Sequence, residues 1–146
     1  VVARSHSTQP LQIYSSIGSR VPLHASSVGK AMMIDWTDER IRDHARAHGK
    51  RVTARTISDP EALLHEVRAA RICGYATSVD EWNEGVSGVA AAVRDHSGAI
   101  IATLGITGPT FRLSPDRLEQ LGRIAIEVAG RISRTQGWTG DAVPAA

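Results

Sequence analysis

The stretch Gly74 to Asp95, GYATSVDEWNEGVSGVAAAVRD, decides the fold of this chain. It joins a glycine typical of a helix end to a short strand at Tyr75–Ser78, a polar loop and a longer strand at Val86–Val93. The side chains of the longer strand are almost all small, so we expect free space beside it. The loop at the mouth of that space carries Asp80, Glu81, Asn83 and Glu84.

The segments on either side of this stretch predict a further strand and two helices. Asp95-His96-Ser97-Gly98 is a hairpin turn that leads into a β-branched strand over Ala99–Thr107, which we expect to be buried and antiparallel to its predecessor. Ser58-Asp59-Pro60-Glu61 predicts a helix start with Ser58 as the cap, and Gly74 ends that helix. After Gly108-Pro109, Ser114-Pro115-Asp116 begins the longest amphipathic helix.

The first half of the chain predicts two short strands and two helices. The strands are Val1–Ser5 and Leu11–Ser15. A helix capped by Ser26 or Ser27 runs to about Trp36, and a polar, exposed helix near Asp38–His48 starts at Thr37 and stops at Gly49. The order of elements indicates an α+β fold with a mainly antiparallel sheet flanked by helices.

Composition limits the class of protein. At 146 residues and 15.6 kDa the chain fits one domain, which we place at residues 1–137, with a flexible tail at 138–146. The formal charge is +2 and no basic run is present, so this segment by itself does not read as a nucleic-acid-binding domain. Cys73 is the single cysteine, which excludes an intrachain disulfide, and no signal or membrane-spanning segment is evident. We therefore expect a cytoplasmic protein with no membrane partner.

The chain begins directly in the strand-like run VVARS, without an initiating methionine. We interpret this as a fragment of a longer protein.

Two motifs point to anions or metals. Ser27, Val28 and Gly29 lie in the first turn of a predicted helix, where free amides could bind a carboxylate; the alternative, which is the commoner case, is a normal capped helix. Gly29-Lys30 lacks the first glycine and the Ser or Thr of a phosphate-binding loop. His44 and His48 share a helix face, but further ligands are missing, so we predict solvated histidines and no metal.

Candidate reactive residues lack partners in the sequence. Ser87 in GVSGV precedes a strand, whereas a nucleophile elbow precedes a helix. Cys73 could be a nucleophile, although a structural thiol fits better. The carboxylates of Asp80, Glu81 and Glu84 could serve acid and base chemistry, or form a solvated face. We predict no catalytic residue and no cofactor.

Two blocks of sequence resemble the effector-binding domain of the IclR family of bacterial transcriptional regulators. The first is the PLHA-x-x-x-GKA block, from Pro22 to Ala31. The second begins at Gly74, passes through Ser78 and Glu81, and continues to Asp95. Two residues depart from the family pattern: Gly88 stands where Cys, Ser or Ala is usual, and Ala92 where Pro is common.

The resemblance implies a GAF-like domain that senses a small molecule and associates into homodimers or tetramers. It also implies a preceding winged helix-turn-helix, which is absent from this chain and through which alone operator DNA would be bound. The family's effector contacts fall on Ser27, Val28, Ser78, Val86, Gly88, Gly105 and Thr107. We expect a ligand carboxylate to accept hydrogen bonds from the backbone amides near Val28 and Gly29, with the hydroxyls of Ser78 and Thr107 as further partners.

The ligand predicted from these residues is an aromatic or medium-sized organic acid, because Gly88 and Gly105 remove side chains and an empty void is costly. Two alternatives remain: a small enzyme on the same fold that uses Cys73 or Ser87, and a structural oligomerisation module without a polar cavity.

Overall fold

A computed structural model describes residues 1–5, 8–9, 11–13 and 16–140 of the chain. Its helices and strands, in chain order, are α1 (Ser27–Met32), α2 (Asp38–His48), α3 (Pro60–Cys73), β1 (Ala76–Val79), β2 (Val86–Arg94), β3 (Ile100–Pro109) and α4 (Pro115–Thr135). A short 3-10 turn over Thr110–Arg112 joins β3 to α4. The α+β class predicted from the order of elements is confirmed.

Local signals explain most helix boundaries. Thr37 caps α2 and Ser114 caps α4, as predicted, and Gly74 ends α3 in the left-handed conformation with φ 82°. The predicted cap of α3 was wrong by one residue, because the side chain of Asp59, and not that of Ser58, accepts the amide of Ala62. The first helix is shorter than predicted and ends at Met32, before the connection that leads to Thr37.

The sheet of the described residues is antiparallel, in the order β1-β2-β3. β2 is the central strand, and its residues from Ser87 to Ala91 are buried. The prediction of a buried third strand was wrong: β3 lies at the edge of this sheet, and Ile101 is 49% exposed. β-branched residues suit a half-exposed edge strand as well as a buried one, so composition alone did not distinguish them.

The strand predicted at Val1–Ser5 does not form. Val1 accepts the amide of Gly18 and donates to the carbonyl of Ser19, and Val2 is 89% exposed. Leu11–Ile13 is likewise irregular, and the rest of that predicted strand, Tyr14 and Ser15, lies outside the described residues. A strand-like composition is not sufficient by itself to form a strand.

Helices cover both faces of the sheet. On one face, α4 packs its buried residues, which include Leu118, Ala125 and Ala129, against Val89, Ala91 and Val93 of β2. On the other face, Ala31 of α1 and Ala70 of α3 meet Ala76 and Ala90. These alanines let α1 approach the strands closely, which sets the geometry of the candidate site.

Helix α2 is less exposed than predicted. Ile41 and Ala45 are buried with Leu63, Leu64 and Val67 of α3. Its other face is polar, which explains why its sequence suggested a solvated helix.

The beginning of the predicted tail packs against the domain. Trp138, which the sequence analysis placed in the tail, is half-buried, and its ring lies against Gly98. Residues 141–146 of the predicted tail lie outside the described residues.

Within the described ranges, none of the helices has the length and apolar character needed to cross a membrane.

Candidate functional site

The start of α1 is built by a buried serine cap. Ser26 Oγ accepts the amide of Gly29 at 3.1 Å and donates to the carbonyl of Pro22 at 2.7 Å. This cap places Ser27, which is 4% exposed, at the first position of the helix, facing the sheet. The prediction that Ser26 or Ser27 caps this helix is confirmed for Ser26.

The sheet presents a row of small polar residues to α1. Ser78 of β1 pairs with Gly88 of β2, and Gly88 pairs with Thr107 of β3. Residues paired in this way point to the same face of the sheet and lie about 5 Å apart. Three of the predicted effector residues therefore lie side by side across three strands.

Three hydroxyl groups surround Gly88, and we call Ser27, Ser78 and Thr107 the hydroxyl cluster. A Cβ atom at Gly88 would lie 3.3 Å from Ser27 Oγ and 3.2 Å from Thr107 Oγ1. None of the three hydroxyls makes a hydrogen bond to any residue that the structure describes. Ser27 is buried, Ser78 is half-buried and Thr107 is exposed, and each of the three hydroxyls keeps its capacity both to donate and to accept.

The glycines do not leave the side-chain-sized void that was expected. A Cβ atom at Gly105 would lie 2.6 Å from Val28 Cγ1, and one at Gly88 would lie 2.9 Å from the carbonyl oxygen of Ile106. The space that these glycines free is taken by α1 and the neighbouring strand. The two glycines therefore do not indicate the size of a ligand.

The remaining predicted residues lie at the edges of this arrangement. Gly29 packs against Leu23, where a Cβ atom would come within 2.3 Å of Leu23 Cα, and its amide already donates to the cap. That amide is therefore not free for a ligand carboxylate. Val86 begins β2 opposite Pro109, on the same face as Gly88 and next to the loop.

A buried ion pair lies beside the cluster, and sequence analysis missed it. Lys30 Nζ is 2.9 Å from Glu81 Oε1, and the side chains of Lys30 and Glu81 are 1% and 8% exposed. Glu81 therefore does not belong to a solvated acidic face. A lysine set among small residues in a short buried helix, between Gly29 and Ala31, is the signal that could have indicated a buried partner.

The Glu81 carboxylate lies in a polar environment, but only one of its two oxygens has a partner among the described residues. Burial raises the pKa of the Glu81 carboxyl, and the Lys30 ammonium opposes that rise. Thr56 donates to the Glu81 carbonyl at 2.6 Å. The second carboxylate oxygen of Glu81 is buried and has no partner among the described residues.

Asp80 stabilises the loop, and its carboxylate already accepts hydrogen bonds from residues of the protein. Its Oδ1 accepts the amide of Gly85 at 2.8 Å and the hydroxyl of Thr110 at 2.6 Å, and its backbone is left-handed with φ 57°. Thr110 also contacts Ser87 Oγ, at 2.8 Å. This arrangement explains Asp80 as a structural residue.

The other candidate reactive groups do not converge. Ser87 is fully buried and alternates with Gly88, so it faces the opposite side of the sheet. Cys73 donates its thiol to the carbonyl of Tyr75. The rings of His44 and His48 are 4.9 Å apart, and burial lowers the pKa of His44. No group of three or more residues suited to hold a metal occurs among the described residues.

Two surface hollows lie away from the hydroxyl cluster. One, of about 300 Å³, is lined by the loops that carry Thr53, Arg55, Asp80 and Glu84. Another, of about 240 Å³, lies between the end of β2, the C-terminal part of α4 and Trp138. The predicted effector residues line neither hollow.

The antiparallel sheet with helices on both faces defines the class: a GAF-like α+β domain. A family model described as the C-terminal domain of the bacterial transcriptional regulator IclR matches residues 1–134. The chain belongs to this family.

Solved and curated relatives agree with that placement. The transcriptional repressor AllR of Klebsiella pneumoniae is 37% identical over 128 residues, which cover 87% of this chain and 47% of that protein. The repressor BlcR of Agobacterium tumefaciens superposes with a TM-score of 0.85 at 26% identity, over 93% of this chain and 54% of that one. The chain spans about half the length of the curated relatives it matches. These relatives are transcriptional repressors.

A further solved relative is a complex with a small aromatic acid. The inducer-binding domain of the transcription factor PobR from Acinetobacter, in a double mutant complexed with 3-hydroxybenzoic acid, is 29% identical, with a TM-score of 0.76. It covers 86% of this chain and 73% of that one.

Proposed function

We propose that this chain is the effector-sensing domain of a transcriptional regulator and that a small carboxylic acid binds at the hydroxyl cluster, between α1 and the sheet. The observation that carries the proposal is the set of unpaired hydroxyls of Ser27, Ser78 and Thr107 around Gly88. Hydroxyls donate to a carboxylate oxygen and also accept, so they suit an acid that carries a hydroxyl group of its own.

The proposed ligand class is an aromatic or medium-sized organic acid. The complex of the PobR domain with 3-hydroxybenzoic acid supports it. Because Val28 packs against Gly105, entry of such an acid requires the first turn of α1, at Val28, to move away from β3 while Lys30 stays against the end of β1. Val28, Val86 and Gly105 then provide the apolar wall of the site, and the amide of Val28, which has no acceptor among the described residues, donates to the acid.

The proposed action is a shift of population without bond formation. The acid favours one arrangement of a homodimer or tetramer, and winged helix-turn-helix domains that precede this one are re-spaced on operator DNA in the cytoplasm. The match of this chain to about half of each curated repressor supports a separate DNA-binding part.

Calorimetry with 3-hydroxybenzoate, benzoate, pyruvate and glyoxylate tests the site. We expect a benzoate-type acid to bind most tightly, and Thr107→Val and Ser27→Ala each to weaken it at least tenfold, which is about 1.4 kcal/mol. Thr77→Val is the matched control, because Thr77 is next to Ser78 on β1 but points to the other face of the sheet.

Three results would contradict the proposal. If none of the four acids binds, the proposed ligand class is wrong. If Thr107→Val and Thr77→Val weaken binding equally, the proposed site is wrong. If pyruvate or glyoxylate binds more tightly than the benzoates, the proposed size of the ligand is wrong.

A further inference from the structure

We propose that Lys30 and Glu81 are positioning residues for the effector site: their buried ion pair fixes the helix that carries Ser27 against the strand end that carries Ser78. This role rests on the proposed function. Neither residue belongs to the hydroxyl cluster, so the pair acts by placing the cluster's members.

The position of the two residues in the chain supports this role. Lys30 lies on α1 one turn after Ser27, and Glu81 lies three residues after Ser78. Their 2.9 Å contact therefore joins two residues that are 51 positions apart in the sequence, close to the site itself. A shift of α1 along β1 would break this contact.

The Glu81 end of the pair is held from several sides. Glu81 Oε1 also accepts the amide of Val79, at 3.3 Å. The hydroxyl of Thr56 donates to the carbonyl of Glu81, and that of Thr53 donates to the carbonyl of Asp80 at 2.7 Å. The carboxylate is therefore a fixed anchor for the lysine.

The Lys30 end has no alternative position in water. Its side chain is 1% exposed, and its other acidic neighbour, Glu66 of α3, is 3.4 Å away and 37% exposed. A lysine in this setting depends on Glu81 for a close, buried partner. The geometry of the pair therefore determines where α1 lies.

Stabilisation alone is a weak explanation for this pair. Buried ion pairs pay a large desolvation cost, and apolar residues of similar size often stabilise a fold equally well. Glu81 also keeps one oxygen without a partner among the described residues. Apolar side chains cannot provide a directional bond that holds α1 and β1 in one relative position.

The double variant Lys30→Met/Glu81→Met separates positioning from stability, since it leaves no buried charge unpaired. We expect it to melt within about 5 °C of the wild type. Amide hydrogen exchange, measured without ligand, should be at least tenfold faster at Lys30 to Met32 and at Val79, and unchanged in α4. The Kd for 3-hydroxybenzoate should rise at least tenfold.

The matched control is Glu119→Ala/Arg123→Ala, which removes an exposed ion pair of 2.7 Å on α4. It should change neither exchange in α1 nor the Kd. Wild-type exchange in α1 of the Lys30→Met/Glu81→Met protein would overturn the proposal, as would equal acceleration in α1 and α4, which indicates a stabilising role only.

Two further outcomes are also decisive. If no acid binds to the wild type, the proposed function fails, while the exchange experiment still decides whether the pair positions α1. If the double variant does not fold, Glu81→Gln replaces it, because it keeps the size of the side chain and removes its charge. Wild-type exchange at Lys30 to Met32 in Glu81→Gln would then overturn the proposal.

Discussion

At the scale of single residues, a glycine in a strand makes room for whatever lies next to it. Gly105 illustrates this, because the neighbour that uses its space is the side chain of Val28. Valine is stiff at χ1, so it cannot easily turn away from an added methyl group. The absence of a side chain at position 105 therefore determines how closely α1 packs on β3.

Gly105→Ala should lower the free energy of unfolding by about 1–3 kcal/mol, as overpacking of a fitted contact does. Gly130→Ala on α4 is the opposite case: its Cβ atom would meet only Arg134 Nη1, at 3.7 Å, and alanine favours a helix by about 0.5–1 kcal/mol. Urea unfolding of both variants measures the difference. A Gly105→Ala protein as stable as the wild type would show that Val28 can move at little cost.

At the scale of elements, the six-residue helix α1 depends on its cap. A helix this short gains little from its own hydrogen bonds, so its stability comes from packing and from its first turn. Ser26 uses its hydroxyl twice, towards Gly29 and towards Pro22, and is 7% exposed. The cap of α4, Ser114, is exposed and accepts the amide of Arg117.

Ser26→Ala should therefore destabilise the protein more than Ser114→Ala. We expect about 2–3 kcal/mol for Ser26→Ala, because a half-buried carbonyl and a buried amide lose their partner, and about 1 kcal/mol for Ser114→Ala. Chemical denaturation of the two variants gives the comparison. Equal losses would mean that water replaces the Ser26 hydroxyl at the start of α1.

At the scale of the whole molecule, buried ionisable groups couple stability to pH. Burial lowers the pKa of His44, and electrostatic interaction with His48, His24 and Arg40 acts in the same direction. The unfolded imidazole, with its pKa near 6.5, therefore binds protons more readily than the folded one. Its contribution to stability is complete above pH 6.5 and is lost as the pH falls through the lowered pKa.

The melting temperature of His44→Gln should consequently fall less than that of the wild type when the pH is lowered from 7.5 to 5.5. Glu81 has a raised pKa and shifts stability in the opposite direction over part of this range, so the comparison between variants isolates His44. His65→Gln, at an exposed position on α3, is the control and should follow the wild type. Identical pH profiles for the wild type and His44→Gln would contradict the assignment.

The chain by itself determined what depends on neighbouring residues. Helix α2 and the caps at Ser26, Thr37 and Ser114 follow from side chains within one turn of the backbone groups they bind, and Gly74 ends α3 for the same local reason. The hairpin between β2 and β3 follows from a turn that is too short for a crossover. These features, with the two sequence blocks, were enough for the α+β class and for the family.

Only the tertiary structure decided which distant residues meet. Local pattern does not record that Lys30 lies against Glu81, or that Val28 fills the space beside Gly105. The same composition that predicted a buried third strand also suits the exposed edge that β3 forms. The stretch from Gly74 to Asp95 specified the strands, while the packing of α1 on them decided how the hydroxyl cluster is arranged. The physical reason is that burial and partner choice depend on close contacts between segments far apart in sequence, which a one-dimensional pattern does not contain.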